Sequence, residues 1–164
     1  MENEPDTNKK IIEQFYSSFA RRDYAGMHAC YSVDVAFSNP VFKLNGKAPK
    51  AMWHMLCESG KDLTITFNNI ETRGSTGKAH WEATYTFSAT GRKVINIIDA
   101  EFQFSEGKII QHLDRFNFWR WAHQALGTTG TMLAWAPFVQ KRVQATANKN
   151  LGKFISRHPE YQDD

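Results

Sequence analysis

The stretch KVINIIDAEFQFSEGKIIQHLDRF, residues 93–116, decides the fold class. Apolar and polar residues alternate along both halves, which is the pattern of strands with one buried face. The SEGK segment between them is a glycine-containing turn, so the two halves predict an antiparallel hairpin. Alternation places these residues on the inner face of the first strand: Asn96, Ile98, Ala100, Phe102 and Phe104. The same face of the second strand carries Ile110, His112, Asp114 and Phe116.

Two more strands are predicted upstream, in LTITFNNIETR (63–73) and KAHWEATYTFSA (78–89). The second of them places Trp81, Ala83, Tyr85 and Phe87 on one face and His80, Glu82, Thr84 and Thr86 on the other. Short loops join these strands, as in an antiparallel meander. An earlier short strand, with Val33, Val35 and Phe37 on one face, ends before Pro40.

Helical spacing dominates the N-terminal part of the chain. The first helix has its apolar stripe at Ile11, Ile12, Phe15, Tyr16 and Phe19. A second helix is predicted in residues 20–31, and a third in APKAMWHMLCES (48–59), with Pro49 in its first turn. Because helices come first and long strands follow, the class is α+β.

The C-terminal part is predicted to be a helical extension. A helix ends at Gly127, a connection follows over residues 128–137, and a last amphipathic helix begins. Its stripe is Phe138, Val139, Val143, Ala147, Leu151, Phe154 and Ile155. We therefore expect one domain over residues 1–164, with a core of about 8–122 and an extension of about 123–158.

Composition narrows the function classes. A net charge of +3 is too small to indicate nucleic-acid binding. The basic residues between Lys141 and Arg157 are interpreted as a solvated helix face. Aromatic residues make up 13% of the chain, which favours a deep apolar interior or pocket. No phosphate-binding loop, nucleophile elbow or metal-ligand spacing occurs, so neither a metal nor an organic cofactor is expected.

The predicted compartment is the cytoplasm. Cys30 and Cys57 are interpreted as free, buried thiols of a reducing environment. The N-terminal residues are polar rather than signal-like, and no apolar run reaches transmembrane length. We expect no membrane association.

Two quoted stretches carry a family resemblance. FYSSFARRDYAGMHACYSVDVAFSNPVF (15–42) resembles the helix–helix–strand opening of ketosteroid isomerases and SnoaL-like polyketide cyclases, and DAEFQFSEGKIIQHLDRF (99–116) resembles their paired closing strands. The chain thus resembles the nuclear-transport-factor-2-like superfamily over most of residues 8–118. The resemblance implies a cone-shaped, curved antiparallel sheet covered by three N-terminal helices. It also implies a homodimer, since sheets of this family often pair through their outer faces.

The resemblance does not carry over the isomerase chemistry. The general base of ketosteroid isomerases aligns with Asn39, before Pro40, and an amide does not take up a proton at neutral pH. The two oxyanion-hole positions align with Phe15 and Ala100. All three isomerase groups are therefore replaced, and the Asp–Arg–Asp set of limonene epoxide hydrolases has no convincing match.

Asp114 fits another pattern of the family. In SnoaL-like cyclases an acidic residue late in the last long strand acts as general acid/base, and Asp114 lies in the comparable strand. His112 lies two residues earlier, where Cβ atoms are about 7 Å apart. Desolvation favours a protonated carboxyl and a nearby histidinium favours a charged one, so the pair can share a proton near neutral pH.

These observations predict the binding of a small, largely apolar molecule in the cone. Asp114 would be the base and His112 its proton partner, with Asn39 or Asn96 donating to a carbonyl or enolate oxygen. The other predicted ligand-binding residues are Trp53, Trp81, Tyr85, Phe102, Phe116 and Trp119.

The alternatives are structural. His112 and Asp114 can be a buried hydrogen-bonded pair, Asn39 an Asx-turn before Pro40, and the tryptophans core residues. At the level of function, a cofactor-independent isomerase- or cyclase-like enzyme stands beside a non-catalytic ligand carrier. A dimeric interaction module is the third possibility, using the sheet face that carries Glu82, Thr84 and Thr86.

Overall fold

The computed structural model describes the backbone of residues 4–133 and 137–163, and the side chains of 7–128 and 137–163. The helices are α1 (Glu4–Ala20), α2 (Tyr24–His28), α3 (Ala48–Ser59), α4 (Phe118–Leu133) and α5 (Pro137–Ser156), followed by a 3-10 turn at Pro159–Tyr161. The strands are β1 (Tyr31–Ser38), β2 (Lys43–Asn45), β3 (Thr64–Arg73), β4 (Thr76–Phe87), β5 (Arg92–Ser105) and β6 (Lys108–Arg115). Among the described helices none combines the length and apolarity that crossing a membrane requires.

The strands form one curved, unclosed sheet in the order β2-β1-β6-β5-β4-β3. This confirms the predicted α+β cone. The pairs from β3 to β6 are antiparallel, as the short loops predicted. The pair β1–β6 is parallel, which differs from a purely antiparallel sheet. Parallel pairing is possible there because α3 and four strands (β2 to β5) separate β1 from β6 in the chain.

Strand alternation correctly predicted which faces are buried. The inner residues of β5 are all buried: Val94, Asn96, Ile98, Ala100, Phe102 and Phe104. In β1 the pattern fails once, since Val33 is 75% exposed whereas Val35 and Phe37 are buried. The register of β1 against β6 shifts between Tyr31 and Ala36, and such a bulge turns the intervening side chains to another face.

Helix α1 packs into the concave side of the sheet. From its predicted apolar stripe Ile12, Phe15, Tyr16 and Phe19 are buried, and Ile11 is partly buried. The close approach requires a glycine at position 77, because a Cβ there would lie 2.8 Å from Ile12 Cδ1 and 3.0 Å from the Phe104 ring. The 2.8 Å separation is shorter than real Cβ atoms show, so a larger residue at this position would require the Ile12 side chain to shift. Gly77 thus allows α1 to pack closely against β4.

Helix α4 covers the part of β5 that β6 does not reach. The Gln124 amide accepts a hydrogen bond from the Ile95 N–H at 2.8 Å and donates one to the Ile95 carbonyl at 3.1 Å. These two bonds satisfy the backbone N–H and C=O groups of Ile95, which a neighbouring strand would otherwise pair. Gly127, at φ 73° and ψ −158°, interrupts α4 where its end was predicted. The backbone is helical again up to Leu133, where a connection was predicted, and residues 134–136 of that connection lie outside the described residues.

Helix α5 returns along the helical side of the domain. Val139 and Leu151 from its predicted stripe are buried, while Phe138 is 56% exposed. The side-chain amides of Gln140 and Gln144 both donate to the Pro40 carbonyl at 3.0 Å. The extension is thereby fixed to the loop that carries one wall of the cavity described next.

Candidate functional site

A cavity of about 310 Å³ lies between α3, the inner face of β4–β6 and the beginning of α4. Most of its lining is apolar or aromatic, as is usual for sites that bind small molecules. Seven residues predicted from the sequence line it: Asn39, Trp53, Trp81, Tyr85, Asn96, Asp114 and Phe116. The exposed residues Ser59, Thr86 and Ser88 mark the side on which it meets solvent.

Three other predicted site residues lie outside the cavity lining. His112 lies behind Asp114, and Phe102 packs on the His112 ring at 4.4 Å between centroids. Trp119 is 42% exposed on α4, and Trp121 lines the cavity instead. Two residues along a helix correspond to a rotation of about 200°, so Trp119 and Trp121 face opposite directions.

His112 and Asp114 are brought together on the inner face of β6. The imidazole Nε2 lies 2.9 Å from the Asp114 Oδ1. Both side chains are almost completely inaccessible, at 1% and 2% exposure. The geometry places the pair at the base of the cavity, where only the carboxyl reaches the lining.

A hydrogen-bonded chain extends from this pair into the core. The indole N–H of Trp53 donates to the Tyr31 hydroxyl at 2.8 Å, and that hydroxyl lies 2.7 Å from Nδ1 of His112. Since an indole can only donate, the Tyr31 O–H remains for donation to Nδ1. We therefore assign the proton of a neutral imidazole to Nε2, from which it is donated to Asp114.

Aromatic rings enclose the imidazole. The centroids of Phe37 and Phe15 lie 5.0 and 5.4 Å from that of His112, both edge-on, and Trp53 stacks at 6.0 Å. This packing fixes the ring orientation and keeps water away from its edges. His112 is consequently suited to hold Asp114 in place, without contacting a ligand in the cavity.

Trp81 supplies a second donor to the carboxyl. Its indole Nε1 lies 3.3 Å from Asp114 Oδ1, the same oxygen that His112 contacts. Two N–H groups converging on one oxygen stabilise a carboxylate, because charge-assisted hydrogen bonds are the stronger ones. Trp81 thus contributes both an apolar wall and a polar contact, which the core interpretation of its ring did not include.

Two buried tyrosines near Asp114 stay protonated. Burial, reinforced by the charge of Asp114, raises the pKa of Tyr16 well above its usual range. Burial also raises the pKa of Tyr31, against a smaller opposing effect of the hydrogen bond from Trp53. The Tyr16 hydroxyl has no hydrogen-bond partner among the described residues, an uncommon state for a buried polar group.

The amide of Asn39 has a structural task. Its Oδ1 accepts hydrogen bonds from the backbone N–H groups of Val41 at 2.8 Å and Phe42 at 2.7 Å. This is the Asx-turn that was one of the two interpretations of the Asn-Pro pair. Because Oδ1 is occupied by the turn, Nδ2 is the atom of this amide that remains for a ligand.

Tyr31 and Trp121 were not among the residues predicted for the site. Tyr31 was placed on a helix face, yet it begins β1 and contacts a residue 81 positions away. The Trp121 indole donates to the Tyr85 hydroxyl at 2.8 Å. No spacing in the sequence signals either contact, since both depend on strands and helices meeting in space.

A family model described as a SnoaL-like domain matches residues 12–112. No curated protein matches the chain.

Several solved structures share the fold. An LEH-like epoxide hydrolase from M. tuberculosis is 14% identical with a TM-score of 0.62, over 82% of this chain and 99% of that one. A candidate SnoaL-like polyketide cyclase from Jannaschia sp. CCS1 is 10% identical with a TM-score of 0.66, over 75% and 94%. An NTF2-like protein from Burkholderia xenovorans LB400 is 15% identical with a TM-score of 0.62, over 74% and 97%. At these identities the likeness concerns the fold.

Proposed function

The chain belongs to the SnoaL-like domain family, and from this premise we propose that it binds a small, largely apolar molecule in the cavity and transfers a proton to or from it. The observation that carries the proposal is a buried carboxyl, Asp114, in the wall of an otherwise apolar cavity of about 310 Å³. Burying a carboxylate costs free energy, and carboxyl groups kept in such surroundings are concentrated at functional sites.

Asp114 would act as the general base or acid. His112 and Trp81 both bind its Oδ1, so Oδ2 is the oxygen we assign to the ligand. The chain from Trp53 through Tyr31 and His112 donates towards Asp114, so it holds the carboxylate in place while Oδ2 takes up a proton from the ligand. His112 is a positioning residue in this scheme.

Two amides would orient the ligand. Asn96 lies on the inner face of β5 and Asn39 lies in the loop after β1, and both line the cavity. A donor from either side chain to a carbonyl oxygen would stabilise the negative charge that develops when a neighbouring carbon loses its proton. This arrangement supports an enolisation of the isomerase or cyclase type and requires only the protein's own side chains.

The test uses 2-tetralone, a compact apolar ketone with exchangeable protons next to its carbonyl. NMR in D2O measures the rate of hydrogen–deuterium exchange, and ligand-detected NMR measures binding. We expect the protein to accelerate exchange and Asp114→Asn to reduce the enzymatic rate by about 10²–10⁴-fold while 2-tetralone still binds. Trp119→Phe is the matched control, since this exposed side chain lies outside the cavity and its replacement should change neither quantity.

Each outcome separates the proposal from its alternatives. Binding without exchange, at equal affinity in Asp114→Asn, would indicate a ligand carrier. Absence of binding by 2-tetralone and by smaller cyclic ketones would contradict the proposal and leave the interaction module. That module would use the outer sheet face, where Lys78, Glu101 and Gln111 line a second pocket. Its signature would be a homodimer in sedimentation.

A further inference from the structure

A second cluster of titratable side chains lies away from the cavity, on the opposite side of α3. His54 and Glu58 are one helical turn apart on α3, and their Nε2 and Oε1 atoms are 2.8 Å apart. His158, which follows α5, brings a third donor atom to the same point. We name these three residues the His–Glu–His cluster.

The cluster has the dimensions of a metal site. Its three donor atoms all lie within 4.8 Å of one another. Around a tetrahedral Zn²⁺ ion at about 2.0–2.1 Å from each ligand, donor atoms are about 3.3 Å apart. The shortest separation of 2.8 Å and the upper bound of 4.8 Å bracket this value. Small side-chain rotations would therefore complete the geometry.

Both imidazoles are held in the way that metal ligands are held. His158 Nδ1 lies 2.8 Å from the Phe154 carbonyl, which can only accept, so its proton is on Nδ1 and Nε2 is bare. His54 Nδ1 lies 2.8 Å from the Tyr161 hydroxyl. Metal-binding histidines characteristically donate their second N–H to such a partner, which fixes the tautomer and the ring orientation.

Tyr161 can play the accepting part. Its side chain is buried, and its hydroxyl can both donate and accept a hydrogen bond. Without a metal, His54 Nε2–H donates to Glu58, and the Tyr161 O–H donates to Nδ1. A metal ion at Nε2 would replace that proton, and the phenol oxygen can then accept a hydrogen bond from Nδ1–H. Tyr24 stacks on the His54 ring at 3.6 Å, and Phe154 stacks on His158 at 3.9 Å. The rings are thereby confined before any ion arrives.

From this geometry we propose that His54, Glu58 and His158 bind one divalent transition-metal ion, Zn²⁺ above all, and that the ion links α3 to the C-terminal segment. Two imidazoles and a carboxylate are ligands that Zn²⁺ accepts. The opposite face of α3 carries Met52 and Trp53 into the cavity lining. Metal binding would therefore stabilise the α3 wall of the cavity. The proposal of a metal site does not depend on the function proposed for the cavity.

The test is a Zn²⁺ titration of the tag-free, EDTA-treated full chain against a chromophoric competitor. We expect one Zn²⁺ per chain and a rise in the melting temperature. Glu58→Gln and His158→Gln should each lower the affinity by at least ~10-fold. The control is His80→Gln, since His80 also has a carboxylate at 2.9 Å, that of Asp99, but lies on the outer face of β4. This control should bind as the wild type does.

Glu58→Gln is the decisive variant because the Glu58 side chain is 55% exposed and its amide replacement should not disturb folding. Circular dichroism of the metal-free variants verifies this. Replacement of Zn²⁺ by Co²⁺ adds a visible spectrum that should be altered in both variants and unchanged in His80→Gln. Absence of stoichiometric Zn²⁺ binding, or equal affinity in the wild type and Glu58→Gln, would overturn the proposal.

Discussion

The substitution Tyr31→Phe tests whether the buried chain from Trp53 to Asp114 is built as described. It keeps the ring, which stacks on Phe15 at 5.2 Å, and removes only the hydroxyl. The loss leaves the Trp53 indole N–H without its acceptor and His112 Nδ1 without its donor. Both groups are enclosed in the core, where an unpaired polar group costs about 1–3 kcal/mol.

The expected loss of unfolding free energy is therefore about 2–6 kcal/mol, the sum for two stranded groups. This is a large share of the roughly 5–15 kcal/mol that stabilises a typical domain. The matched control is Tyr85→Phe, which removes a single hydrogen bond from Trp121 at 2.8 Å in the wall of the cavity, where water can replace it. That variant should lose only about 0.5–1.5 kcal/mol.

Urea denaturation measures both variants, followed by tryptophan fluorescence and circular dichroism so that coincident transitions verify two-state unfolding. The midpoints, taken at an unchanged m-value, give the difference in stability. A Tyr31→Phe loss no larger than that of Tyr85→Phe would refute the reasoning. It would mean that His112 and Trp53 find other partners and that the chain does not hold Asp114 in place.

Two further predictions concern stability. Burial raises the pKa of the Cys30 and Cys57 thiols from 9.0 to about 11, so the folded state retains protons that the unfolded chain releases. The contribution of the two thiols to the free energy of unfolding should be fully present below pH 9.0 and decline towards about pH 11. Urea denaturation at several pH values checks this, and stability should decline less steeply with pH in the double variant Cys30→Ala/Cys57→Ala than in the wild type. Gly127→Ala should lower stability by about 1–3 kcal/mol in thermal melts, because its backbone lies in a region that only glycine adopts readily. Gly152→Ala in α5, where an added Cβ meets nothing within 4 Å, should instead have no cost, and equal melting temperatures of the two variants would contradict this account.

Local patterns accounted for the faces of the sheet. Alternation along β5 and β6 correctly placed Asn96, His112 and Asp114 inside, because the direction of a strand side chain depends only on its position in the strand. The exceptions are Val33 in β1 and Ile110 in β6, where Ile109 is buried instead, and both lie where the register between paired strands shifts. Bulges arise from the pairing of two strands, so the sequence of one strand does not predict them.

The candidate site was predicted in part for the same reason. The pairing of His112 with Asp114 is local, since two residues of one strand share a face. Which of the two reaches the cavity depended on the aromatic rings of Phe15, Phe37 and Phe102, which come from three other elements and enclose the imidazole. The position of those rings is a result of packing.

The sequence by itself determined the class of the fold and the inward direction of the last strand's polar pair, because periodicity and turn chemistry act over a few residues. The family followed from the resemblance of residues 15–42 and 99–116. Tertiary structure alone decided that Tyr31 hydrogen-bonds to His112 and that His54 and His158, 104 positions apart, meet beside Glu58. Such contacts join segments far apart in the chain, and their geometry follows from how the whole core closes rather than from any spacing along it.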